Sequence, residues 1–410
     1  MAMAARFICI VAVCLLGVNA APSQKLQDEV LDEAKMDTPQ LLKKHGYPVE
    51  IHEVITDDDY ILTMHRVPYS PVSPLVDGTK KPPILVQHGL LSSSADWVLM
   101  GPGIGYAYIL ADAGYDVWLG NCRGNTYSKR HKTLDVNSDE FWDFSWHENG
   151  IHDVPAEINY ILNVTGEEKL FYAGHSMGTT MFYVMCSERP EYNDKIRAMF
   201  SLAPIAYMNH MTSPFFKLFS KGEAFIAVIL KLLGIKEFLP NNELMDLAGK
   251  VLCKDGAIFQ KVCSDVLFLI AGYDSKELNE TMLPSIIAHT PAGASVKQLL
   301  HYAQEINSGS LFDPGHFRQY DYGIFGNKAK YGQWSPPDYD LSKITAPVYL
   351  LYSENDWLAG LRDIQRLFDG LPNAHKYDVP LHSFNHLDFL WAIDANQLVY
   401  SETVKIMKDY

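Results

Sequence analysis

Short, largely apolar runs recur between helix-length stretches along the chain: Ile84 to Val86, Asp116 to Leu119, Leu170 to Ala173, Met199 to Leu202 and Val348 to Tyr352. A strand with both side-chain rows apolar has both faces covered, the condition of a parallel sheet between layers of helices. Because such strands alternate with helical patterns, the chain predicts a parallel α/β sheet. Ahead of it, β-rich segments from Glu50 to Val67 flank Asp57, Asp58 and Asp59 and predict a hairpin; a Pro-, Ser- and Gly-rich loop follows to Pro83.

The rhythm breaks between residues 204 and 331. Phe215, Phe216, Leu218, Phe219, Phe225, Ile226, Val228, Ile229, Leu230, Leu232 and Leu233 crowd there with few charges, which predicts an inserted helical cap or lid. Plain core packing explains the same apolar stripe equally well. The core then comprises residues 36–203 and 332–410, and the polar stretch 21–35 reads as a tail or propeptide. Residues 1–20 carry Arg6, an apolar run from Phe7 to Leu16 and small residues to Ala20, the pattern of a secretory signal peptide. That run is too short to span a bilayer, and the rest of the chain has no charge-free run of membrane length, so no stable transmembrane anchor is expected. The destination expected is extracellular, with lysosomal delivery as the alternative.

Composition narrows the classes of partner. The 410 residues are 48% hydrophobic and 20% charged, ordinary for a folded protein, with a formal charge of -15. That charge disfavours nucleic acid and anionic headgroups, so any lipid contact must be mainly apolar. Of six cysteines, Cys9 and Cys14 leave with the leader; Cys122, Cys186, Cys253 and Cys263 remain, and Cys253 with Cys263 is the pair nearest in sequence. Asn163 and Asn279 open N-glycosylation sequons.

The chemistry centres on Gly174, His175, Ser176, Met177 and Gly178, which stand between an apolar strand and a helix-like segment. A strand-to-helix turn this sharp needs glycines where a Cβ would collide, and it lifts the serine hydroxyl above the sheet edge as a nucleophile elbow. A serine hydroxyl needs a base, and the base an orienting acid. For a nucleophile elbow of this kind the chain order is serine, acid, histidine, and the acid follows a late strand. After Val348 to Tyr352 come Glu354 and Asp356, with Asp356 preferred and Glu354 its rival. The base comes later still, at His382 or His386, and His386 is better placed before the terminal helix. Oxyanion donors are expected from the backbone of Met177 and of Leu90, the latter in the loop His88, Gly89, Leu90 after an early strand. His88 comes too early for the base and is read as shaping that loop. No metal or organic cofactor is required.

Further motifs carry a resemblance. His45 to Pro48, Asp59 to Leu62, Gln87 to Leu90, Asn121 to Asn125, Phe141 to Ser145, Pro291 to Gly293, Tyr320 to Gly323 and His386 to Phe389 resemble the acid lipase family, which holds gastric lipase, lysosomal acid lipase and insect relatives. The resemblance covers roughly residue 35 to the end. It implies an α/β-hydrolase core with a mainly parallel eight-stranded sheet and a helical lid. It also implies hydrolysis of triacylglycerols or cholesteryl esters at an oil-water interface, through the nucleophile Ser176, the acid Asp356 and the base His386. Oxyanion donors Leu90 and Met177 and a cap disulfide between Cys253 and Cys263 follow from it as well. Two positions depart from the pattern: Met177 stands where Gln is usual, and Cys122 where Ser is usual. Only a backbone N–H is required at 177, so the chemistry is unaffected. The competing readings are an esterase of smaller esters on the same fold and a non-catalytic lipid-binding or storage protein.

Overall fold

The computed structural model describes residues 24–76, 79–241, 260–310 and 313–410. Residues 1–20, expected to be a leader, with Cys9 and Cys14, and Cys253 lie outside the described residues. One twisted sheet organises the chain. Strands β1 (Glu50–Ile55) and β2 (Tyr60–Val67) form the expected antiparallel hairpin, whose turn places Asp59 at a φ of 72°. Then come β3 (Pro83–Gln87), β4 (Asp116–Leu119), the two-residue β5 (Arg130–His131), β6 (Leu170–His175) and β7 (Ile196–Leu202). A small separate ribbon pairs β8 (Glu237–Phe238) with β9 (Ala294–Ser295), and β10 (Val348–Tyr352) and β11 (Ala374–Asp378) complete the main sheet.

The strand order is β1-β2-β4-β3-β6-β7-β10-β11, with β5 on β2, so the sheet has nine strands where eight were expected. The extra strand is two residues long and carries no apolar pattern to announce it. From β4 to β11 all neighbours are parallel. Alternate residues feed two separate core layers. Leu85, Trp118, Tyr172 and Leu350 face one; Ile84, Val86, Val117, Leu119, Phe171, Ala173 and Leu351 face the other. This two-sided burial is why the central strands read as unbroken apolar runs.

The chain leaves β3 toward β4 on one side, while β6 lies on its other side. A crevice therefore opens beyond the carboxyl ends of β3 and β6, the place where open α/β sheets hold their sites. Between β7 and β10 the chain contributes helices at Pro214–Lys221, Glu223–Leu232, Gln260–Ala271, Leu283–His289, Val296–Asn307 and Gly323–Tyr331. The later ones are packed into the body, with Leu283, Ile286 and Leu299 buried, whereas Leu218, Phe225 and Leu232 of the first two stay largely exposed.

The polar stretch read as a tail or propeptide holds a helix. Gln24–Glu33 is a helix whose last turn and sequel bury Val30 and Ala34, and it packs on the helix Leu283–His289. These two apolar positions four apart make a stripe too narrow to stand out in a charged segment.

Candidate active site

β6 ends at His175, and Met177 opens the helix Met177–Glu188, so Ser176 alone makes the turn, at φ 51° and ψ -115°. A φ of that sign is strained for a non-glycine residue. The flanking glycines permit it by close approach. A Cβ on Gly174 would lie 2.6 Å from the Gly178 carbonyl carbon, and one on Gly178 would lie 2.4 Å from the Gln87 carbonyl oxygen. The elbow is thus pressed against the end of β3. Ser176 N–H donates to Leu202 O of β7 at 3.0 Å, which pins the turn on its other side.

The loop after β3 lies directly against the elbow: a Cβ on Gly89 would meet Ser176 Cβ at 3.1 Å. His88 Nδ1–H donates to Gly89 O at 2.8 Å, and Nε2 accepts from Cys122 N–H and Asn125 Nδ2, each at 3.1 Å. This partner set demands a neutral ring protonated on Nδ1. Burial, which pushes the His88 pKa down to about 4, keeps it neutral. A trans peptide holds its C=O and N–H antiparallel, so capture of Gly89 O turns the half-buried Leu90's N–H away from His88. Met177 is the first residue of its helix, where N–H groups lack helical acceptors. Its side chain is buried, with Sδ contacted by Gln298 Nε2 at 3.7 Å.

Beyond β10, Asp356 accepts backbone N–H groups from Leu358 and Ala359 on Oδ1, both at 2.8 Å. Its Oδ2 lies 2.8 Å from His386 Nδ1, and both residues are buried. His386 is brought to the elbow by its main chain: its carbonyl accepts from His175 Nε2 at 2.9 Å, and the two rings lie 4.9 Å apart. Among the described residues no hydrogen bond joins Ser176 Oγ to His386; such contacts are often long without substrate and tighten when it binds. The rivals Glu354 and His382 pair with each other on the surface.

Comparison with known proteins fits this geometry. Residues 38–101 match a partial alpha/beta-hydrolase lipase region, and residues 82–222 match the alpha/beta hydrolase fold. Lipase 3 of Drosophila melanogaster is 47% identical over 91% of this chain and 93% of its own. Gastric triacylglycerol lipase of Mus musculus is 40% identical over 92% and 93%. Lipase lipl-1 of Caenorhabditis elegans is 39% identical over 96% and 97%. A solved structure from Sulfolobus solfataricus, 15% identical, shares the fold with a TM-score of 0.54 over 88% of this chain and 99% of that one. The chain belongs to the acid lipase family of α/β-hydrolases.

Within this acid lipase the distant motifs converge behind the elbow. Asn121 Oδ1 receives Ser94 N–H and Asn125 Nδ2, both at 2.9 Å, which fixes the loop that supports His88. Arg123 is fully buried; it forks onto Asp58 at 2.6 and 2.8 Å, bonds Asp153 Oδ1 at 2.7 Å and lies 3.9 Å from the Tyr60 ring centroid. Gly124, at φ 83°, has the rings of Phe144 and Trp142 where a Cβ would stand. Ala292 bridges two loops, its N–H donating to Leu91 O at 2.7 Å and its carbonyl accepting from Thr126 N–H at 2.9 Å.

Cys122 and Cys186 are buried free thiols, and Gln87 Nε2 donates to Cys122 Sγ at 2.9 Å. Cys263 is disulfide-bonded, and its expected partner Cys253 lies outside the described residues. Asn163 is exposed on the helix Val154–Thr165, and half-buried Asn279 caps a 3-10 turn. Asp57, Asp58 and His152 form the sole cluster of metal-ligand type among the described residues; Asp58 is already taken by Arg123.

Sequence reasoning missed His175, Asn125 and Ala271. Ala271 O accepts N–H groups from Trp357 at 3.2 Å and His386 at 3.4 Å, joining the Asp356 and His386 loops through the segment between β7 and β10. Gly272 follows at φ 121°, and a Cβ there would lie 2.2 Å from Asn355 O. His175 and Asn125 lie inside motifs the sequence shows, but their roles, like that of Ala271, depend on partners far along the chain, His386, His88 and Trp357.

Proposed function

We propose that this chain is a serine lipase that hydrolyses carboxylic esters of neutral lipids through an acyl-enzyme. The observation that carries the reading is the buried Asp356–His386 pair beside the strained Ser176 elbow. In this mechanism Ser176 Oγ attacks the ester carbonyl while His386 Nε2 takes its proton. The oxyanion is held by the N–H groups of Leu90 and Met177. Collapse returns the proton to the departing alcohol, and water, activated by the same imidazole, releases the fatty acid and restores the serine.

Two observations support a neutral-lipid substrate at an oil-water interface. The relatives include a triacylglycerol lipase, and Leu218, Phe225, Leu232 and Leu233 present an exposed apolar face on an acidic protein. We read that part of the insertion as a lid. Among the described residues no helix is long and apolar enough to cross a membrane. Entry into the secretory route is supported by the leader pattern at 1–20, by the sequons at Asn163 and Asn279, and by the disulfide-bonded Cys263.

An activated alkylphosphonate, followed by peptide mapping, tests the chemistry, and a triacylglycerol emulsion assayed against a dissolved short-chain ester tests the substrate class. The reading expects the adduct on Ser176 and faster turnover at the emulsion. An adduct elsewhere removes the mechanism, and turnover confined to dissolved esters moves the protein to the small-ester class.

A further inference from the structure

We propose that His175 is a positioning residue for the base: its ring N–H holds the main-chain carbonyl of His386 and ties the base to the strand that presents the nucleophile. The inference rests on the roles given above to Ser176, Asp356 and His386.

The contact is a hydrogen bond of known direction. His175 Nε2 lies 2.9 Å from His386 O, and since a carbonyl only accepts, Nε2 carries the hydrogen. The other nitrogen, Nδ1, is buried with no hydrogen-bond partner. An imidazole with one orphan nitrogen is a poor way to fill a core, because an apolar side chain would occupy the space without burying an unpaired acceptor. The residue is therefore explained by its bonded nitrogen. Burial, reinforced by the nearby His386, holds its pKa well below the ordinary 6.5. It stays neutral, which matters because a positive charge 4.9 Å from the His386 ring would oppose the imidazolium formed during acylation.

The bond also occupies a position of leverage. His175 immediately precedes Ser176, while His386 lies 211 residues further along the chain. The base is held at three points: its ring by Asp356, its N–H by Ala271 O of the insertion, and its carbonyl by His175. The first sets the direction of the ring. Only the third runs straight to the nucleophile's own strand, and so it governs the distance between Nε2 of the base and Oγ of the serine.

Three variants separate this role from packing. His175→Gln places an amide N–H₂ near the position of Nε2; His175→Asn has the same chemistry but is too short; His175→Leu fills space without a donor. Turnover of a dissolved short-chain ester and the rate of phosphonate labelling are measured beside melting temperature, with Ser176→Ala as control. The Asn and Leu variants are expected to lose on the order of 10²-fold in kcat with little change in KM, and to label correspondingly more slowly, as for a base displaced by about 1 Å. The Gln variant should recover most of both. If the Leu variant fails to fold, the Gln and Asn pair decides. Wild-type kcat in the Asn and Leu variants overturns the proposal, as does a Gln variant as slow as Leu at equal melting temperature. Turnover persisting in Ser176→Ala overturns the underlying reading instead; an inactive Ser176→Ala beside a normal Leu variant removes only the positioning role.

Discussion

His382 Nδ1 meets Glu354 Oε2 at 3.0 Å on the protein surface, with the imidazole 91% exposed. Nearby, His386 and Asp356 make a similar contact at 3% and 4% exposure. Two His–carboxylate pairs of like geometry thus stand side by side in different dielectric surroundings. Water and salt screen the outer one, while the inner one, with its carboxylate held by two backbone N–H groups, is preorganised.

Substitution should separate the pairs sharply. Asp356→Asn is expected to lower kcat on the order of 10⁴-fold by favouring the wrong tautomer of the base. Glu354→Gln and His382→Gln should leave kcat/KM on a dissolved ester essentially unchanged. Steady-state kinetics of the three variants check this; equal losses at the outer pair would reassign the acid and base.

His88 should matter for rate without touching substrate. Replacing it with Leu frees Gly89 O and removes the acceptor for Cys122 and Asn125, so the Leu90 N–H loses its aim. Losing one oxyanion donor typically costs about 3 kcal/mol in the barrier. The expected result is a kcat lowered on the order of 10²-fold with KM little altered.

The elbow glycines are predicted to be steric requirements. Gly178→Ala drives a methyl to 2.4 Å from a backbone oxygen that cannot swing away, and overpacking of this kind costs about 1–3 kcal/mol or more. Chemical denaturation should show the loss. An unchanged midpoint would mean that β3 yields more easily than its buried position suggests.

Stability should depend on pH through two opposed sets of buried groups. Burial pushes His65, His88 and His147 from 6.5 down to about 4. Between those values the unfolded chain binds more protons, so stability falls with falling pH by about 1.4 kcal/mol per unit for each shifted ring. Burial raises Glu157, Glu305 and Asp388 instead. Their contribution is full below the ordinary carboxylate range and is lost as pH rises through the raised values. Glu157→Gln is therefore expected to melt higher than the parent above neutral pH, with the gap closing toward about pH 4. A gap independent of pH would show that Glu157 is not held protonated.

The exposed apolar face should serve the interface alone. Leu218→Asp and Leu232→Asp alter side chains 76% and 80% exposed, so folding and turnover of dissolved esters should persist. Activity on a triacylglycerol emulsion should fall, since a charge on that face opposes contact with oil. Equal activity on both substrates would detach these residues from lipid contact.

Much of the architecture was legible because its causes are local. Central strands buried on both faces must be apolar in both rows, and the elbow must carry glycines where backbone meets backbone; both leave marks in a few consecutive residues. β11 left none, since its residues Ala374–Asp378 are mostly polar and only half-buried or exposed at the sheet edge, and β5 is too short to carry a period. The helix Gln24–Glu33 was hidden by its charges. Residue placement favoured Asp356 over Glu354 and His386 over His382 but left both rivals open, and only the resemblance chose between them.

The amino-acid order by itself determined the layer architecture, the Ser176 elbow and the loop beside it, because burial periodicity and turn sterics act over a handful of neighbours. Tertiary structure alone decided which imidazole sits beside which carboxylate, and that His175 holds the carbonyl of His386 while Ala271 holds its N–H. Those contacts form only when segments as much as 211 residues apart are closed together by the packing of the whole sheet. Their free energy is spread over the fold and leaves no trace at any one position.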